Sequence, residues 1–178
     1  ETLRKMLYSK AAKVIAQTEI AANIYERKYK LKNCIVIPNP IKTPQENKKY
    51  ERENIIISIG RLINTKHFDH LINIFGKINL DNWKLIIIGG DSLKQNNSIN
   101  LQNQIKEMEM KDKIILIGTQ KNIEEYLLRA KIFAFTSSSE GFPNVIGEAM
   151  SAGLPVVAYD CVAGPSEMIQ NGKNGFLI

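Results

Sequence analysis

Two hydrophobic periodicities alternate along most of the chain. Short runs of consecutive, mainly β-branched apolar residues predict strands buried on both faces, at 55–59, 85–88, 114–117, 132–135, 155–159 and 176–178. Between them, apolar residues recur every three or four positions, which predicts helices with one buried side at 68–78, 99–108, 123–130 and 165–170, and a further helix that opens at Pro143. Strands that alternate with helices predict an α/β fold, namely a doubly wound, Rossmann-like parallel sheet.

The first fifty residues are organised differently. They predict a strand at 13–17, a helix at 20–30 and a strand at 34–37, after which three prolines at positions 38, 40 and 44 interrupt regular structure. The polar stretch 45–50 has the composition of a linker. We therefore expect a unit at 1–44 and a domain at 51–178, with the boundary within 40–50. Because the chain begins without Met and ends on an apolar run, we interpret it as a fragment whose second domain is incomplete at its C-terminal end.

Composition and charge limit the class of protein. Apolar residues make up 44% of the 178 residues, which allows a substantial core, but no apolar run is long enough to cross a bilayer. The first residues lack the pattern of a signal peptide, so we expect none. Cys34 and Cys161 lie far apart without metal-ligand spacing, which favours a reducing, cytoplasmic compartment. The net charge of +6 is concentrated in residues 1–50, with 11 Lys/Arg against 4 Asp/Glu. That segment could contact anionic lipid or a phosphorylated acceptor, or it is a solvated helix face.

Three loops that follow predicted strands carry polar residues suited to ligand binding. In an open parallel sheet, ligands bind beyond the carboxyl ends of the strands, where loops lead into helix N-termini. The first loop holds Gly60, Arg61 and, five residues later, Lys66. A planar guanidinium and a mobile ammonium beside a helix N-terminus suit a diphosphate, although two surface cations in a loop are also common without a ligand.

The second loop, 137–144, follows the fourth strand of the domain. Gly141 permits close approach of the backbone to a ligand, and Pro143 opens a helix whose free N–H groups can hold an anion. Glu140 precedes this helix and Glu148 lies within it. A carboxylate can accept two hydrogen bonds from a vicinal diol, so the two could hold a ribose and a hexose. The alternative for Glu148 is a solvated helix position.

For the third loop, 164–167, a structural role and a ligand-binding role are equally supported by the sequence. In the structural role, Ser166 would cap the next helix and Glu167 would interact with the positive end of that helix.

Several other kinds of site are excluded by missing motifs, since the chain contains no GxGxxG, no GK[ST], no GxSxG and no HExxH. His67 and His70 lie three apart in a predicted helix without an obvious third ligand, and we interpret them as surface or boundary residues.

These segments together resemble the family 4 glycosyltransferases, a retaining family with the GT-B fold of two facing Rossmann-like domains. The resemblance extends from residue 35 to residue 178 and depends on the order and spacing of its parts. The parts are Ile37-Pro38-Asn39-Pro40-Ile41 as the interdomain linker, Gly60-Arg61-Leu62 with Lys66 as the diphosphate loop, Glu140 and Glu148 as the E-x7-E motif followed by residues 149–158, and Asn171-Gly172-Lys173-Asn174-Gly175-Phe176-Leu177 as the closing strand entry. Gly89-Gly90-Asp91-Ser92 departs from the G-x-G that the family often carries there, which leaves open what that loop does with the ligand.

The resemblance implies a role for each matching residue. Arg61 and Lys66 would hold the donor diphosphate and stabilise the departing nucleotide, and Glu140 would contact the sugar at its reacting end, as nucleophile or as electrostatic support. Glu148 would bind the ribose diol, and the loop 118–121 would meet the nucleobase. The implied catalytic residues are Glu140, Arg61 and Lys66, and the implied donor-binding residues are Gly60, Arg61, Lys66, Thr119, Gln120, Glu140, Gly141, Phe142, Pro143, Asn144, Val145 and Glu148.

The implied activity is transfer of a hexose or N-acetylhexosamine from a UDP-sugar to a glycan or lipid-linked acceptor, because residues 159–161 and 164–167 resemble bacterial members that use UDP-sugars in polysaccharide assembly. The acceptor would bind mainly to an N-terminal domain that the chain lacks, so the fragment alone is expected to be inactive. The resemblance implies no metal, other cofactor or nucleic-acid partner, and a cytoplasmic location with peripheral contact to the inner face of the membrane as an option. Two alternatives stay open: a non-hydrolysing UDP-sugar epimerase and a non-catalytic sugar-nucleotide-binding module.

Overall fold

The computed structural model describes residues 2–44, 50–78, 80–92, 95–162 and 164–178, so most of the predicted linker, 45–49, lies outside the described residues. Residues 2–44, here called the first segment, contain α1 (Thr2–Tyr8), β1 (Val14–Ala16), α2 (Glu19–Tyr29) and β2 (Cys34–Val36). The rest contains β3 (Ile55–Ile59), a 3₁₀ turn (Asn64–Lys66), α3 (Phe68–Ile78), β4 (Lys84–Ile88), α4 (Asn97–Glu107), β5 (Ile114–Leu116), α5 (Ile123–Arg129), β6 (Ile132–Phe135), α6 (Asn144–Ser151), β7 (Val156–Ala158), α7 (Pro165–Met168) and β8 (Gly175–Leu177). The position of a domain boundary at 40–50 stays a prediction.

Strands β3 to β8 form one parallel sheet, the main sheet, in the order β5-β4-β3-β6-β7-β8. Ile57 lies opposite Ile86 of β4 on one side and opposite Phe133 of β6 on the other. The first and fourth strands of the sheet are therefore neighbours, and the order of the strands reverses between them. This is the doubly wound arrangement that the sequence predicts, and it places a crevice beyond the carboxyl ends of β3 and β6.

Apolar residues cover both faces of the main sheet. Successive residues of β3 face opposite sides, so that Ile57 belongs to one core while Ile56 packs against the other. The first core contains the fully buried Phe133 and Ile146, and the second contains the fully buried Ile72 of α3. Burial on both faces explains why these strands are continuous apolar runs rather than alternating ones.

The first segment forms a small parallel pair, β1 and β2, with Val14 opposite Cys34. A third apolar cluster lies beneath it, made of Val14, Tyr29 and Leu31. The helix α1 is not predicted by the sequence pattern, and it is held by Tyr8, whose ring lies 5.5 Å from that of Tyr29 between centroids. Among the helices of the described residues, none combines the length and apolar character that a membrane span requires.

Pro143 and His67 are predicted to be helical, but both lie just outside their helices. α6 begins at Asn144, and Pro143 is its N-cap. The ψ of Pro143, 78°, is not helical, but its carbonyl already accepts a hydrogen bond from the Ile146 N–H at 2.9 Å. His67 is not in the same helix as His70. It ends the 3₁₀ turn in a left-handed conformation, with φ of 48°, and α3 begins at the next residue.

Arg52, just before β3, connects the ends of two helices. Its guanidinium donates to the carbonyl of Ala130 at 2.6 Å and to the carbonyl of Ala152 at 2.6 Å. These residues follow the last turns of α5 and α6, where carbonyl groups lack helical partners and the helix dipole favours a cation. Arg52 therefore fixes both helices against the start of the main sheet.

Candidate functional site

The crevice at the reversal point is bordered by the loops that follow β3 and β6, and hydrogen bonds join these two loops. The Ser138 N–H donates to the Thr65 carbonyl at 2.9 Å, and the Thr136 hydroxyl donates to the Lys66 carbonyl at 2.7 Å. Because β3 and β6 are parallel neighbours, both loops leave the sheet at the same edge. The two loops therefore hold their polar side chains in a fixed relation to each other.

Lys66 and Glu140 form an ion pair across these loops, with their side chains only 16% and 15% exposed. The Lys66 ammonium lies 5.5 Å from the centroid of the Phe135 ring, a second favourable contact for a cation. At Gly60 a Cβ atom would lie 3.3 Å from Lys66 Cε, so glycine leaves room for the lysine side chain to cross the loop. Partial exclusion of water strengthens the attraction between the two charges.

Arg61 lies directly after β3 and its side chain is exposed. No side chain or carbonyl of the described residues forms a hydrogen bond or ion pair with its guanidinium. The first loop therefore presents one cation that is neutralised by Glu140 and one that is available to an anion.

Glu148 of α6 lines a second part of the site, a pocket of about 200 Å³. Lys121 and Asn122, from the loop after β5, also line this pocket, and so does Lys42 of the first segment. Thr119 and Gln120, the predicted contact residues of that loop, are not among the residues that line this pocket. Thr119 lies against Gly90, where a Cβ atom would be 2.6 Å from the Thr119 hydroxyl oxygen, and the Gln120 amide donates to the Ile117 carbonyl at 2.7 Å.

The loop from Glu140 to α6 alternates between exposed and covered positions: Gly141 and Asn144 are exposed, Phe142 and Val145 are half-buried and Pro143 is buried. The Asn144 N–H donates to the Phe142 carbonyl at 3.0 Å, which tightens the turn before the helix. The structure therefore brings the Glu140 loop, Lys66 and Arg61 to one edge of the sheet, with Glu148 further along α6.

The loop 89–92, where the sequence departs from the family pattern, packs against the first loop. A Cβ atom on Gly89 would overlap the Gly60 carbonyl oxygen, so only glycine fits there. Asp91 caps α4, since its carboxylate accepts the Ser98 hydroxyl and, at 2.9 Å, the Ser98 N–H. Chiefly the hydroxyl, and then the N–H, hold the pKa of Asp91 below its ordinary value.

Two further groups with possible chemistry lie near the crevice. Burial first, and then the charge of Glu140, raise the pKa of the Cys161 thiol, which keeps it protonated and inert. His67, Asp69 and His70 place their potential ligand atoms within 4.8 Å of one another. The Nε2 atom of His67 is already hydrogen-bonded to the Ser138 hydroxyl at 2.9 Å, which holds the ring against the second loop.

The predictions for the third loop are confirmed only in part: Glu167 lies in the first turn of α7, as expected, but Ser166 is not the cap. Ser166 does not cap α7, because Gly164 takes the N-cap position without a side-chain hydrogen bond. Glu167 acts on another helix, since its carboxylate accepts the backbone N–H groups of Glu19 and Ile20 at the start of α2. No local sequence pattern indicates this contact, because the partners are 148 and 147 positions apart.

Two amide side chains beside the Glu140 loop were also missed by sequence reasoning. Gln17 donates to the Asn39 side chain at 2.7 Å, and Asn39 donates to the side chain of Asn144 at 2.9 Å. Asn39 lies within the stretch that resembles the family linker, but its contact with the first residue of α6 depends on the three-dimensional arrangement.

A doubly wound sheet with paired charges at its reversal point defines an α/β domain of the type that binds nucleotides and their conjugates. The sequence model of the family described as "Glycosyl transferases group 1" matches residues 41–178, and the chain belongs to that family. This agrees with the resemblance to retaining GT-B glycosyltransferases.

Individual relatives support the same family. The chain is 32% identical over 168 residues to an uncharacterized glycosyltransferase of Haemophilus influenzae, covering 93% of the chain and 46% of the relative. It is 30% identical to the amylovoran biosynthesis glycosyltransferase AmsD of Erwinia amylovora, covering 99% of the chain and 50% of the relative. The chain thus spans about half the length of these relatives. Their names favour the transferase interpretation over the epimerase alternative.

The fold is also similar to that of a solved structure, a mutant of TarM from S. aureus in complex with fondaparinux, α-GlcNAc-glycerol and UDP. The TM-score is 0.87 at 28% sequence identity, and the match covers 100% of this chain and 36% of that one. The predicted α/β fold class is therefore confirmed.

Proposed function

We propose that the whole protein transfers a hexose or N-acetylhexosamine from a UDP-sugar to a glycan or lipid-linked acceptor, and that this chain supplies the donor site. The observation that carries the proposal is the pair Lys66–Glu140 at the reversal point of the sheet, beside Arg61, whose guanidinium has no partner among the described residues. The UDP bound in the related TarM structure supports a uridine nucleotide as the ligand class.

In this proposal, Arg61 and Lys66 bind the diphosphate. Arg61 is available at once, whereas Lys66 is shared with Glu140 in the ligand-free structure. A phosphate that approaches Lys66 frees part of the Glu140 carboxylate to accept hydrogen bonds from sugar hydroxyls. As the bond between sugar and diphosphate breaks, negative charge grows on the departing UDP, and the two fixed cations stabilise it most in that state.

Glu148 and the pocket it lines would hold the nucleoside. Its half-buried carboxylate is suited to two hydrogen bonds from the ribose diol, and Lys121 and Asn122 line the same pocket. Thr119 and Gln120 would then position the backbone of the loop rather than touch the base through their side chains. The charges at the diphosphate come from Arg61 and Lys66, so we propose transfer without a metal ion or other cofactor.

We also propose a cytoplasmic enzyme with peripheral membrane contact. Residues 1–50 carry 11 Lys/Arg against 4 Asp/Glu, and such a basic balance suits the surface of an anionic membrane, where a lipid-linked acceptor would be found.

The first test is calorimetric titration of the full-length protein with UDP, UDP-hexoses and GDP, with and without EDTA. We expect UDP to bind more tightly than GDP, EDTA to have no effect, and Arg61→Ala or Glu148→Ala each to weaken UDP binding by about tenfold or more, the loss of one charge-assisted hydrogen bond. Arg27→Ala and Glu107→Ala are matched controls, because both side chains are exposed on helices away from the crevice. Unchanged UDP affinity in both site variants would contradict the proposed donor site.

A second experiment tests the reaction. The full-length protein is incubated with a UDP-sugar that is radiolabelled in the sugar and with membranes of its source, and we expect label in the glycan or lipid fraction. Glu140→Gln should lower the amount of incorporated label by about a hundredfold, because the variant lacks a group that acts on the transition state. Incorporation no greater than that of the membranes alone would favour a non-catalytic binding module, and equal incorporation by Glu140→Gln above that background would contradict the role of Glu140. Release of a free epimerised hexosamine would favour the epimerase.

A further inference from the structure

The corner between β1 and α2, residues 17–20, contacts the rest of the chain through a helix cap supplied from far away in sequence. Within the first turn of α2, the Ala21 N–H is bound by the Thr18 hydroxyl at 3.0 Å, as is usual for an N-cap threonine. The N–H groups of Glu19 and Ile20 are bound by the two carboxylate oxygens of Glu167, at 2.9 and 3.0 Å. Helix N-termini leave such groups without helical partners, so half of this cap depends on Glu167.

A second contact reaches the same corner independently. Gln17 donates to Asn39 and Asn39 donates to Asn144, the first residue of α6. Gln17 also lies beside the Glu140 loop, because its side-chain oxygen is 3.9 Å from where a Cβ atom on Gly141 would be. Residues 17–20 therefore contact the carboxylate of α7 directly and are linked to the start of α6 through Asn39.

The two points of contact belong to one packed unit. At Gly164, the N-cap of α7, a Cβ atom would lie 2.5 Å from Pro143 Cδ, so α7 packs directly against the residue that precedes α6. We therefore expect a displacement of the loop at 140–143 to be transmitted to α7 and Glu167, because close-packed groups transmit strain.

We propose that Glu167 is a positioning residue for the transfer reaction: by capping α2 from the donor side, it fixes residues 17–20 against the Glu140 loop and couples occupancy of that loop to the position of the first segment. The proposal rests on the proposed function for its assignment of the loop to the donor. The Glu167 carboxylate stabilises α2 in two ways: it accepts charge-assisted hydrogen bonds, and it lies at the positive end of the helix dipole.

The test is amide hydrogen exchange of the full-length protein with and without saturating UDP. In Glu167→Ala we expect the amides of Glu19 and Ile20 to exchange about tenfold faster or more, as two charge-assisted hydrogen bonds are lost, while Ala21 keeps its Thr18 partner and changes less. In the wild type, UDP should slow exchange at 17–20 by about fivefold or more, the lower range for coupled sites, and this response should disappear in Glu167→Ala.

Two further variants make the result specific. Glu167→Gln keeps one acceptor oxygen, so only one of the two amides should lose its protection. Glu107→Ala removes an exposed carboxylate at the far end of α4 and should behave as the wild type does. Slow exchange at Ile57 in each variant, equal to that of the wild type, reports that the main sheet is folded, and Glu167→Gln carries the test if Glu167→Ala fails this check.

The outcomes separate this proposal from the proposed function. Unchanged exchange at Glu19 and Ile20 in both Glu167 variants overturns the cap, whatever UDP does. A UDP response at 17–20 that survives in Glu167→Ala, or that is absent from a wild type that binds UDP, overturns the coupling and leaves the donor site intact. A wild type that binds no UDP overturns the donor site, while the exchange of the ligand-free variants still decides the cap.

Discussion

Both sheets of the described residues consist of parallel strands, but their strands differ in how far they are buried. Ile15 is the middle residue of β1 and Ile57 is the middle residue of β3, yet Ile15 is 59% exposed and Ile57 is 0% exposed. β3 has paired strands on both sides and helices on both faces, whereas β1 pairs only with β2 among the described residues. A strand can therefore be specified by its local pattern while its stability depends on how many neighbours enclose it.

The largest change in stability is expected when each of these two isoleucines is replaced by alanine. Ile57→Ala leaves a cavity in a closed core and should lower the free energy of unfolding by about 2–5 kcal/mol. Ile15→Ala removes the same atoms from an exposed site and should change it by about 0.5 kcal/mol or less. Urea unfolding of the 178-residue chain, followed by circular dichroism, measures both.

The same two variants in the full-length protein sharpen the comparison. If the cost of Ile15→Ala rises towards that of Ile57→Ala, the additional chain covers β1. Equal costs of the two variants in the 178-residue chain would contradict the difference in burial described above.

An intermediate effect is expected at Arg52, which joins the ends of α5 and α6 to the main sheet. Arg52→Ala should lower the free energy of unfolding by about 2 kcal/mol, because charge-assisted hydrogen bonds to two helix ends are lost. Arg129→Ala is the matched control: Arg129 pairs with Glu53 and Glu125 on the surface, at 39% exposure, and its loss should cost about 1 kcal/mol or less. Thermal unfolding of both variants ranks them, and a greater loss in Arg129→Ala would contradict the assigned role of Arg52.

The smallest effect concerns the cap of α4, which Asp91 supplies from 7 positions away, whereas Glu167 caps α2 from 148 positions away. Because the pKa of Asp91 is lowered in the folded state, its ionised form stabilises the fold at neutral pH, and this contribution is lost as the pH falls through that lowered pKa. Asp91→Asn should therefore be less stable than the wild type at pH 7, by an amount that shrinks below about pH 4.

Urea unfolding between pH 7 and pH 3 measures this dependence. Asp112→Asn, an exposed carboxylate in a turn, should show no such change. A deficit of Asp91→Asn that is constant over this range would indicate that the carboxylate charge does not contribute to the cap.

Local patterns were sufficient for the main sheet and for the loops at its edge. The predicted bounds of β3 and β6 coincide with the observed ones, because a continuous apolar run that ends at a glycine or at polar residues marks a strand enclosed on both faces. The roles assigned to Arg61, Lys66, Glu140 and Glu148 stay predictions, although the structure brings the first three to one edge.

Contacts over long sequence separations could not be predicted. The Lys66–Glu140 pair joins residues 74 positions apart, and neither residue type is unusual in a loop. Helix α1 has no distinct amphipathic repeat, and it is held by the Tyr8 contacts rather than by its own pattern. His67 was assigned to a helix although it lies one residue before α3, because its left-handed conformation is set by the join between the 3₁₀ turn and α3.

The ion pair between Lys66 and Glu140 bears on selectivity against the abundant small anions of a cell. Inorganic phosphate can offer an acceptor to Lys66, but it places its own negative charge beside the Glu140 carboxylate that it displaces, and its few P–OH groups lie on the same small anion. A nucleotide sugar carries both complements in one molecule, a phosphate for the ammonium and sugar hydroxyls for the carboxylate. In the proposed donor site, the ion pair therefore acts as an internal counterion, and only a ligand that satisfies both partners at once would gain the full interaction.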